Sequence, residues 1–459
     1  MQKSTASPAV HEGWSSRFVF IMAAVGAAVG LGNLWKFPYT AGVSGGAAFV
    51  VVYLVAVGAV AVPIVIAELL IGRRGRMSPP ASFARLAEES GASGAWRLVG
   101  FVNLAAVFII LSFYSVVAGW GLAYVPRLLA GHFAGADADT VARAFDDLLA
   151  SPVQLTVLHT IFMAMTVGIV SLGIHRGIEK AVKFLMPALF LMLLLLVGYA
   201  AIEGDMERTV QFLFQADFSK ITAQVVLQAI GQAFFSVSVA MGLLITYGAY
   251  LDKGASLPRS SVAIAGADTL VALLAGLAIF PIVFAHGLDP AEGPGLVFVT
   301  LPLSFAQMPA GGLFGAMFFV LLIVSALTST IAVLEPMVAW AEERKIGRRR
   351  GALLAGGLAW LLGLATVFSF NAWKDFHPLG AFERFANATI FDLLEFLTTN
   401  ILLPVGGVLI AVFAGWVISR PALDDELPGF SRALYALWRV LVRYLAPVAI
   451  GWVLIANTF

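Results

Sequence analysis

The sequence contains no cysteine. Disulfides, thiolate zinc sites, iron–sulfur ligation and cysteine nucleophiles are therefore excluded together. Charge is scarce as well. Asp, Glu, Lys and Arg make up 12% of the 459 residues, where a soluble domain carries about 25%. The formal net charge is +1, so there is no basic field to hold nucleic acid. The six histidines (His11, His132, His159, His175, His286, His377) form no helix-spaced metal pair such as H-E-x-x-H. No nucleophile–base constellation is recognisable in the sequence, so an enzyme is not expected. Apolar residues are what the chain has in excess. They make up 60% of it, and mean hydropathy is +0.93. A soluble protein carries about 45–50%. Disorder, which needs low hydrophobicity, is excluded. A polytopic helical membrane protein remains.

After a polar segment, 1–13, apolar stretches of bilayer-spanning length recur. The first is far longer than a signal-peptide core and has no cleavage site, so it is retained as a helix. Eleven spans are predicted, at about 14–41, 46–72, 96–129, 152–173, 178–202, 223–250, 261–286, 309–341, 351–370, 389–418 and 433–457. A further apolar piece, 294–307, is too short to cross and reads as a re-entrant or loop helix. Arg73, Arg74, Arg76, Arg85 and Arg97 follow span 2, Arg176, Lys180 and Lys183 follow span 4, and Arg344 to Arg350 follow span 8. Loops of the other parity carry Asp137, Asp139, Glu203, Asp205, Glu207, Asp289 and Glu292. The basic loops are expected in the cytoplasm, which puts the N-terminus inside and, with an odd span count, the C-terminus outside.

Spans 1 and 6 are interrupted by small residues. Gly26-Ala27-Ala28-Val29-Gly30-Leu31-Gly32-Asn33 breaks the first, and Ser236-Val237-Ser238-Val239-Ala240-Met241-Gly242 the second. They are the first members of two five-span halves. Broken helices at corresponding positions of two halves point to a transporter binding site. Unwound backbone offers carbonyls to a cation and half-helix N-termini to a carboxylate. Such backbone is tolerated only where it lines a cavity.

The run Gly30-Leu31-Gly32-Asn33-Leu34-Trp35-Lys36-Phe37-Pro38-Tyr39 resembles the first-helix signature of the neurotransmitter:sodium symporters. Gly231-Gln232-Ala233-Phe234-Phe235-Ser236-Val237-Ser238 and Ser325-Ala326-Leu327-Thr328-Ser329-Thr330 resemble that family's sixth and eighth helices. The resemblance runs from Trp14 to span 11 and is closest to the bacterial amino-acid transporters with a leucine-transporter-like fold. It implies an all-α integral membrane protein with eleven transmembrane helices in a five-plus-five inverted repeat. The expected divisions are 1–13, a cytoplasmic segment; 14–202 and 203–418, the two repeats; and 419–459, a connector with the eleventh helix.

The resemblance also implies the site. One sodium would be held by the Ala28 carbonyl, Asn33, Ser236 and Asp268, with the substrate carboxylate completing the shell. A second would take the carbonyls of Gly26, Val29 and Ser325 and the hydroxyls of Thr328 and Ser329. Leu31, Gly32 and Tyr114 would bind a carboxylate, and the carbonyls of Ala28, Phe235 and Ser236 with the Ser238 hydroxyl an ammonium. Ala27, Ile110, Val117, Phe235, Met241, Ser329 and Val333 would line the side-chain pocket. Monoamine-carrying relatives have aspartate at the position of Gly30, so a substrate that brings its own carboxylate is expected, a neutral amino acid with a hydrophobic side chain, aromatic ones included.

Among the acids, Asp268 departs most from the family, many members of which have asparagine there. An intramembrane carboxylate is a functional residue by default, and this one is expected to stand in for chloride and to permit proton counter-transport on the return step. Glu68 matches a family glutamate that accepts hydrogen bonds near broken span 6. Tyr114 and Phe235 would form an aromatic lid, Lys36 and Asp392 an outer ion pair, and Trp14 an inner plug with His11 opposite Glu343. The segment 420–429 reads as a solvated acidic connector. The expected activity is sodium-driven uptake of neutral amino acids across the inner or plasma membrane. A non-transporting amino-acid sensor and a carrier of another small carboxylate-bearing solute remain the alternatives.

Overall fold

The computed structural model describes residues 13–288 and 295–458. His11, Asp289 and Glu292 lie outside them. The described residues contain helices and turns and no strand. Apolar runs of this length can satisfy their backbone groups in a membrane only within the same segment, which is why they are helical.

In chain order the helices are α1 (Arg17–Ala28), α2 (Gly32–Val43), α3 (Ala47–Gly75), α4 (Pro79–Glu89), α5 (Gly94–Leu129), α6 (Ala138–Ala150), α7 (Pro152–Ser171), α8 (Ile174–Glu203) and α9 (Met206–Phe214). They continue with α10 (Ala223–Ser236), α11 (Leu243–Ala249), α12 (Leu257–Ala285), α13 (Leu296–Ala306), α14 (Gly311–Glu343), α15 (Arg348–Ser369), α16 (Ile390–Val417), α17 (Arg420–Glu426) and α18 (Arg432–Thr458). Among the described residues nine helices are long and apolar enough to cross a membrane, and the pair α1–α2, bent by 53°, makes a tenth. The stretch expected as span 6 consists of two short helices, α10 and α11, on either side of a turn.

Seven stretches within these helices widen to i→i+5 hydrogen bonding. Five of the seven end two residues before a proline: Pro38, Pro63, Pro302, Pro404 and Pro447. A proline ring clashes with the carbonyl four residues back and offers no N–H. Widening the preceding turn relieves that clash without ending the helix.

Of the nine long helices the most enclosed is α14, with 78% of its apolar window buried, and the most peripheral is α18, with 28%. Small residues bring α3 and α11 together backbone to backbone. A Cβ on Gly72 would stand 1.9 Å from the Ile245 carbonyl oxygen, and one on Gly248 2.8 Å from that of Leu69. Large apolar side chains such as Phe18, Val55, Phe184, Leu194 and Ile202 are exposed around the bundle, where lipid would cover them.

The loops sort to two ends. At the basic end, Arg73 at the close of α3 meets Glu426 of α17 and the Ala255 carbonyl, Ser78 meets Glu343, and Arg348 meets the Val170 carbonyl. At the opposite end Asp205 N–H bonds to Pro281, Tyr199 to Pro309, and Arg384 to the Thr458 carbonyl.

Candidate ion and substrate site

The bent pair α1–α2 parts at Val29–Leu31. Val29 turns to an extended conformation (φ −68°, ψ 112°), and its N–H still bonds to Val25. The gap leaves the next residues close to two side chains. A Cβ on Gly30 would stand 2.5 Å from Tyr114 Oη and 2.7 Å from Ser329 Oγ. The Leu31 N–H donates to Tyr114 Oη at 2.9 Å. Gly32 is equally confined, 3.2 Å from the Phe235 ring by the same measure.

Asn33, Ser236 and Asp268, all expected around one ion, form a single buried cluster. Asn33 Nδ2 donates to Asp268 Oδ1 at 2.7 Å and to Ser236 Oγ at 3.1 Å, and Ser236 Oγ donates to Asp268 Oδ2 at 2.6 Å. The Asn33 amide oxygen accepts the Gly30 N–H at 3.1 Å. The remaining member, the Ala28 carbonyl, belongs to the last residue of α1, beside the break.

The second set gathers between α1 and α14. Ser329 Oγ donates to the Val29 carbonyl at 2.9 Å and the Gly26 carbonyl at 3.4 Å. Thr328 Oγ1 donates to the carbonyls of Ser325 at 2.9 Å and Val324 at 3.2 Å, the back-bonding usual for hydroxyls on helices. The Thr328 Cβ also stands 3.2 Å from where a Cβ on Gly26 would be. Carbonyl and hydroxyl oxygens of this kind are hard ligands suited to an alkali cation. Among the described residues no three His, Asp or Glu side chains converge as for a transition metal.

The second break is strained. Ser238 (φ 56°) and Ala240 (φ 66°) are left-handed without being glycine, and Gly242 follows at φ 73°. Such outliers persist where the surroundings over-determine them. Ala240 is held from both sides, its N–H donating to Glu68 Oε1 at 3.1 Å and its carbonyl accepting Asn103 Nδ2 at 2.6 Å. Ser238 Oγ reaches across to the Ala27 carbonyl at 3.3 Å, joining the two breaks. Met241 lies inside this turn, and with Ala27, Ile110, Val117 and Val333 it is buried in the surrounding apolar core.

At the basic end Trp14 is buried. Its Nε1–H donates to the Tyr247 carbonyl at 3.0 Å, its N–H to that of Tyr250 at 3.2 Å, and its ring meets Tyr247 edge-on at 5.1 Å. Glu335 accepts the Tyr250 hydroxyl at 2.9 Å and pairs with Arg348 at 2.6 Å. Glu343 accepts the Ser78 N–H at 2.5 Å and hydroxyl at 2.6 Å, binding the residue that precedes α4; His11, expected opposite it, lies outside the described residues. One expectation needs correction here: the connector 420–429 is not merely solvated. Glu426 is buried against Arg73 at 2.6 Å, both 2% exposed. Beside it Arg74 bonds Glu89 and Asp425, and holds both carboxyls below their usual range.

At the opposite end the expected pairing of Lys36 with Asp392 is not formed. Asp392 Oδ2 accepts the Thr389 N–H and hydroxyl, both at 2.8 Å, in a capping box at the start of α16. Lys36 Nζ instead lies 4.2 Å from the Phe235 ring centroid, and the acid whose field reaches it is Glu395, one turn beyond Asp392. Beside Lys36 and Phe235 is a cavity of about 250 Å³ with Thr40, Gln228, Asn400 and Asn457 in its wall.

Three residues at the breaks escape the motif reading. Gln232 Nε2 donates to the Gly32 carbonyl at 3.0 Å, Tyr53 Oη lies 3.5 Å from Ser236 Oγ, and Asn103 holds Ala240. Asn103 carried a signal, as a lone amide in an otherwise apolar run.

The model of the "Sodium:neurotransmitter symporter family" matches residues 11–141 and 141–402. An "Uncharacterized sodium-dependent transporter YhdH" of Bacillus subtilis is 37% identical over 444 residues, 95% of this chain and 95% of its own length. An "Uncharacterized sodium-dependent transporter MJ1319" of Methanocaldococcus jannaschii is 31% identical over 470 residues, 98% of this chain and 90% of its own. Among solved structures, that of MhsT in complex with L-phenylalanine superposes with a TM-score of 0.87 at 39% identity, covering 98% of this chain and all of that one.

Proposed function

The chain belongs to the sodium:neurotransmitter symporter family, and on that premise we propose that it uses the sodium gradient to take up a neutral amino acid with a large apolar side chain. Membership makes it a sodium-dependent membrane transporter and not an enzyme. The observation that carries the substrate class is the confinement of Gly30. Tyr114 Oη and Ser329 Oγ crowd that position and the Leu31 N–H bonds to the same tyrosine, and position 30 itself carries no acidic side chain to neutralise an amine. The solute therefore brings its own carboxylate to these donors. Its ammonium faces the carbonyls around Ala28, Phe235 and Ser236 and the Ser238 hydroxyl, and its side chain faces Ile110, Val117, Met241 and Val333. The phenylalanine bound by MhsT supports an apolar, aromatic-sized substrate.

One sodium lies with Asn33, Ser236, Asp268 and the Ala28 carbonyl, next to the substrate carboxylate, which couples the two directly. A second lies with Ser329, Thr328 and the carbonyls of Gly26, Val29 and Ser325. Asp268 supplies the fixed negative charge that removes the need for chloride, and it carries a proton back on the return step. Eleven spans result when α10 and α11 count as one broken span, with 14–202 and 203–418 as the inverted repeats. The basic end faces the cytoplasm, and the protein resides in the inner or plasma membrane. Spans 1, 2, 6 and 7 rock against the rest to alternate access.

The test is uptake in proteoliposomes with labelled neutral amino acids, an inward sodium gradient, a potassium control and gluconate in place of chloride. Sodium-dependent accumulation of an aromatic or large aliphatic amino acid without chloride is expected. Accumulation driven by protons alone would refute the sodium assignments, and binding without accumulation would make the chain a sensor. Asp268→Asn is expected to lower chloride-free uptake by about 10–100-fold, the weight of a charge-assisted contact, with partial recovery in chloride. Unchanged uptake without chloride would remove Asp268 from the mechanism.

A further inference from the structure

The basic end carries a second concave surface, away from the breaks. It is a cleft of about 820 Å³ between the connector and the start of α18, with Arg420, Arg432, Arg439 and Arg443 in its wall. Residues 432, 439 and 443 are spaced by seven and four, so the three arginines form one stripe along the helix. Among the described residues the single carboxylate lining the cleft is Asp424, and its partner is Arg420 at 3.8 Å. The neighbouring acids of α17 are engaged elsewhere, Asp425 with Arg74 and Lys253, and Glu426 with Arg73. Among the described residues Arg432, Arg439 and Arg443 have no carboxylate partner.

Two of these guanidinium groups are held in place by packing rather than by charge. Arg443 lies 4.7 Å from the Trp416 ring centroid and donates from Nε to the Gly415 carbonyl at 2.5 Å. Arg439 leans on Tyr435 and reaches the same carbonyl at 3.5 Å. The close approach is built in, since a Cβ on Gly415 would stand 2.8 Å from Arg443 Cγ. Each guanidinium has five donors, and these contacts leave several on each unspent.

The position along the helix decides what such donors meet. The 27-residue α18 is longer than the about 20 residues that a hydrocarbon core of about 30 Å takes up, and Arg432, Arg439 and Arg443 lie in its first half, at the basic end, within snorkelling reach of a headgroup layer. Trp416, Leu437, Val440 and Tyr444 around them are each about half exposed. They form the apolar and aromatic flank that acyl chains cover. A planar guanidinium fork matches a phosphate better than any other common anion at that depth.

We propose that the cleft formed by Arg432, Arg439 and Arg443 binds the phosphodiester headgroup of an anionic phospholipid, with its chains along α18. The shared chemistry is a phosphate on clustered arginines, and the lipid is favoured over free phosphate because the flank of the cleft is apolar.

The purified full-length protein, in mixed micelles titrated with phosphatidylglycerol or phosphatidylcholine of the same chains, is read by native mass spectrometry for lipid retained per chain. Preferential retention of phosphatidylglycerol is expected. The R432Q/R439Q variant, which leaves the Trp416–Arg443 packing in place, should need at least about tenfold more phosphatidylglycerol for equal retention. R432K/R439K should stay within about threefold of the wild type, because the charge remains. Equal retention of the two lipids by the wild type would overturn the proposal whatever the variants do. So would displacement of the lipid by millimolar inorganic phosphate, which would make this a site for the free anion. Loss of retention in R432Q/R439Q with an unchanged melting temperature supports the site, and unchanged retention refutes it.

Discussion

The two ends of the bundle are closed by different physics. At the basic end Trp14 is buried under Tyr247 and Tyr250, and around it stand Arg348–Glu335 and, further out, Arg73–Glu426, two ion pairs with little or no exposure. At the opposite end a lone ammonium, Lys36, lies over the Phe235 ring beside a cavity, and Asp392 is turned to its own helix start. Separating one partner from a buried pair costs about 3–5 kcal/mol, whereas a cation over a ring is worth about 0.5–2 kcal/mol. The difference teaches that this conformation is locked at the basic end and only latched at the other. On the proposed cycle of alternating access, the cheaper opening from here is on the side of Lys36.

The strongest way to break that contrast is Arg348→Met, which leaves Glu335 buried with only the Tyr250 hydroxyl. A loss of about 3–5 kcal/mol raises the population open at the basic end about 10²–10⁴-fold. The chain has no cysteine, so a single Ala24→Cys on α1, fully buried, reports opening without background. Its reaction with a membrane-impermeant thiol reagent should accelerate by that order, and an unchanged rate would remove Arg348–Glu335 from the closure. Adding Glu335→Met should restore slow labelling, since an apolar pair of similar volume commonly replaces a buried ion pair at little cost. Glu343→Gln is a milder probe of the same end. It keeps one acceptor for Ser78 and loses the charge, so about 1–2 kcal/mol and roughly tenfold faster labelling are expected. Labelling as slow as in the parent would show that Glu343 only caps α4.

How much of this was legible in the sequence depends on whether a signal was local. Apolar run length is local, and each expected span begins and ends within four residues of the helix or broken pair found there, whereas the short helices α4, α6, α9 and α17 were not expected. The breaks were legible from clustered small residues, and the structure cuts the chain at Val29–Leu31 and Val237–Gly242. The partners of charged residues were not, because a pair such as Arg73–Glu426 joins positions 353 residues apart. Arg73 and Glu426 carry no pattern that links them, and an acidic connector reads as solvated until α17 is seen against α3. For Asp392 the local signal was present. Thr389-Ile390-Phe391-Asp392 has the spacing of a capping box, and that competing use of the carboxylate outweighs a long-range pairing with Lys36. Asn103 and Tyr53 stood out only as polar groups in apolar spans, with nothing in the sequence to say which carbonyl or hydroxyl they would meet.

The smallest expected effect tests the weaker half of the comparison. In Lys36→Gln the ammonium leaves the Phe235 ring, and the lost attraction is about 0.5–2 kcal/mol. A Thr40→Cys reporter in the wall of the adjoining cavity should then react about 2–30-fold faster with reagent added from that side. Lys36→Arg should match the parent within about twofold, because a guanidinium stacks on an aromatic face at least as well as an ammonium. If Lys36→Gln instead accelerated labelling a hundredfold, Lys36 would be holding a desolvated carboxylate, with Glu395 the candidate within reach of its field. The two ends would then be locked alike, and the order of opening would have to be set by ion binding at Asp268 rather than by the closures themselves.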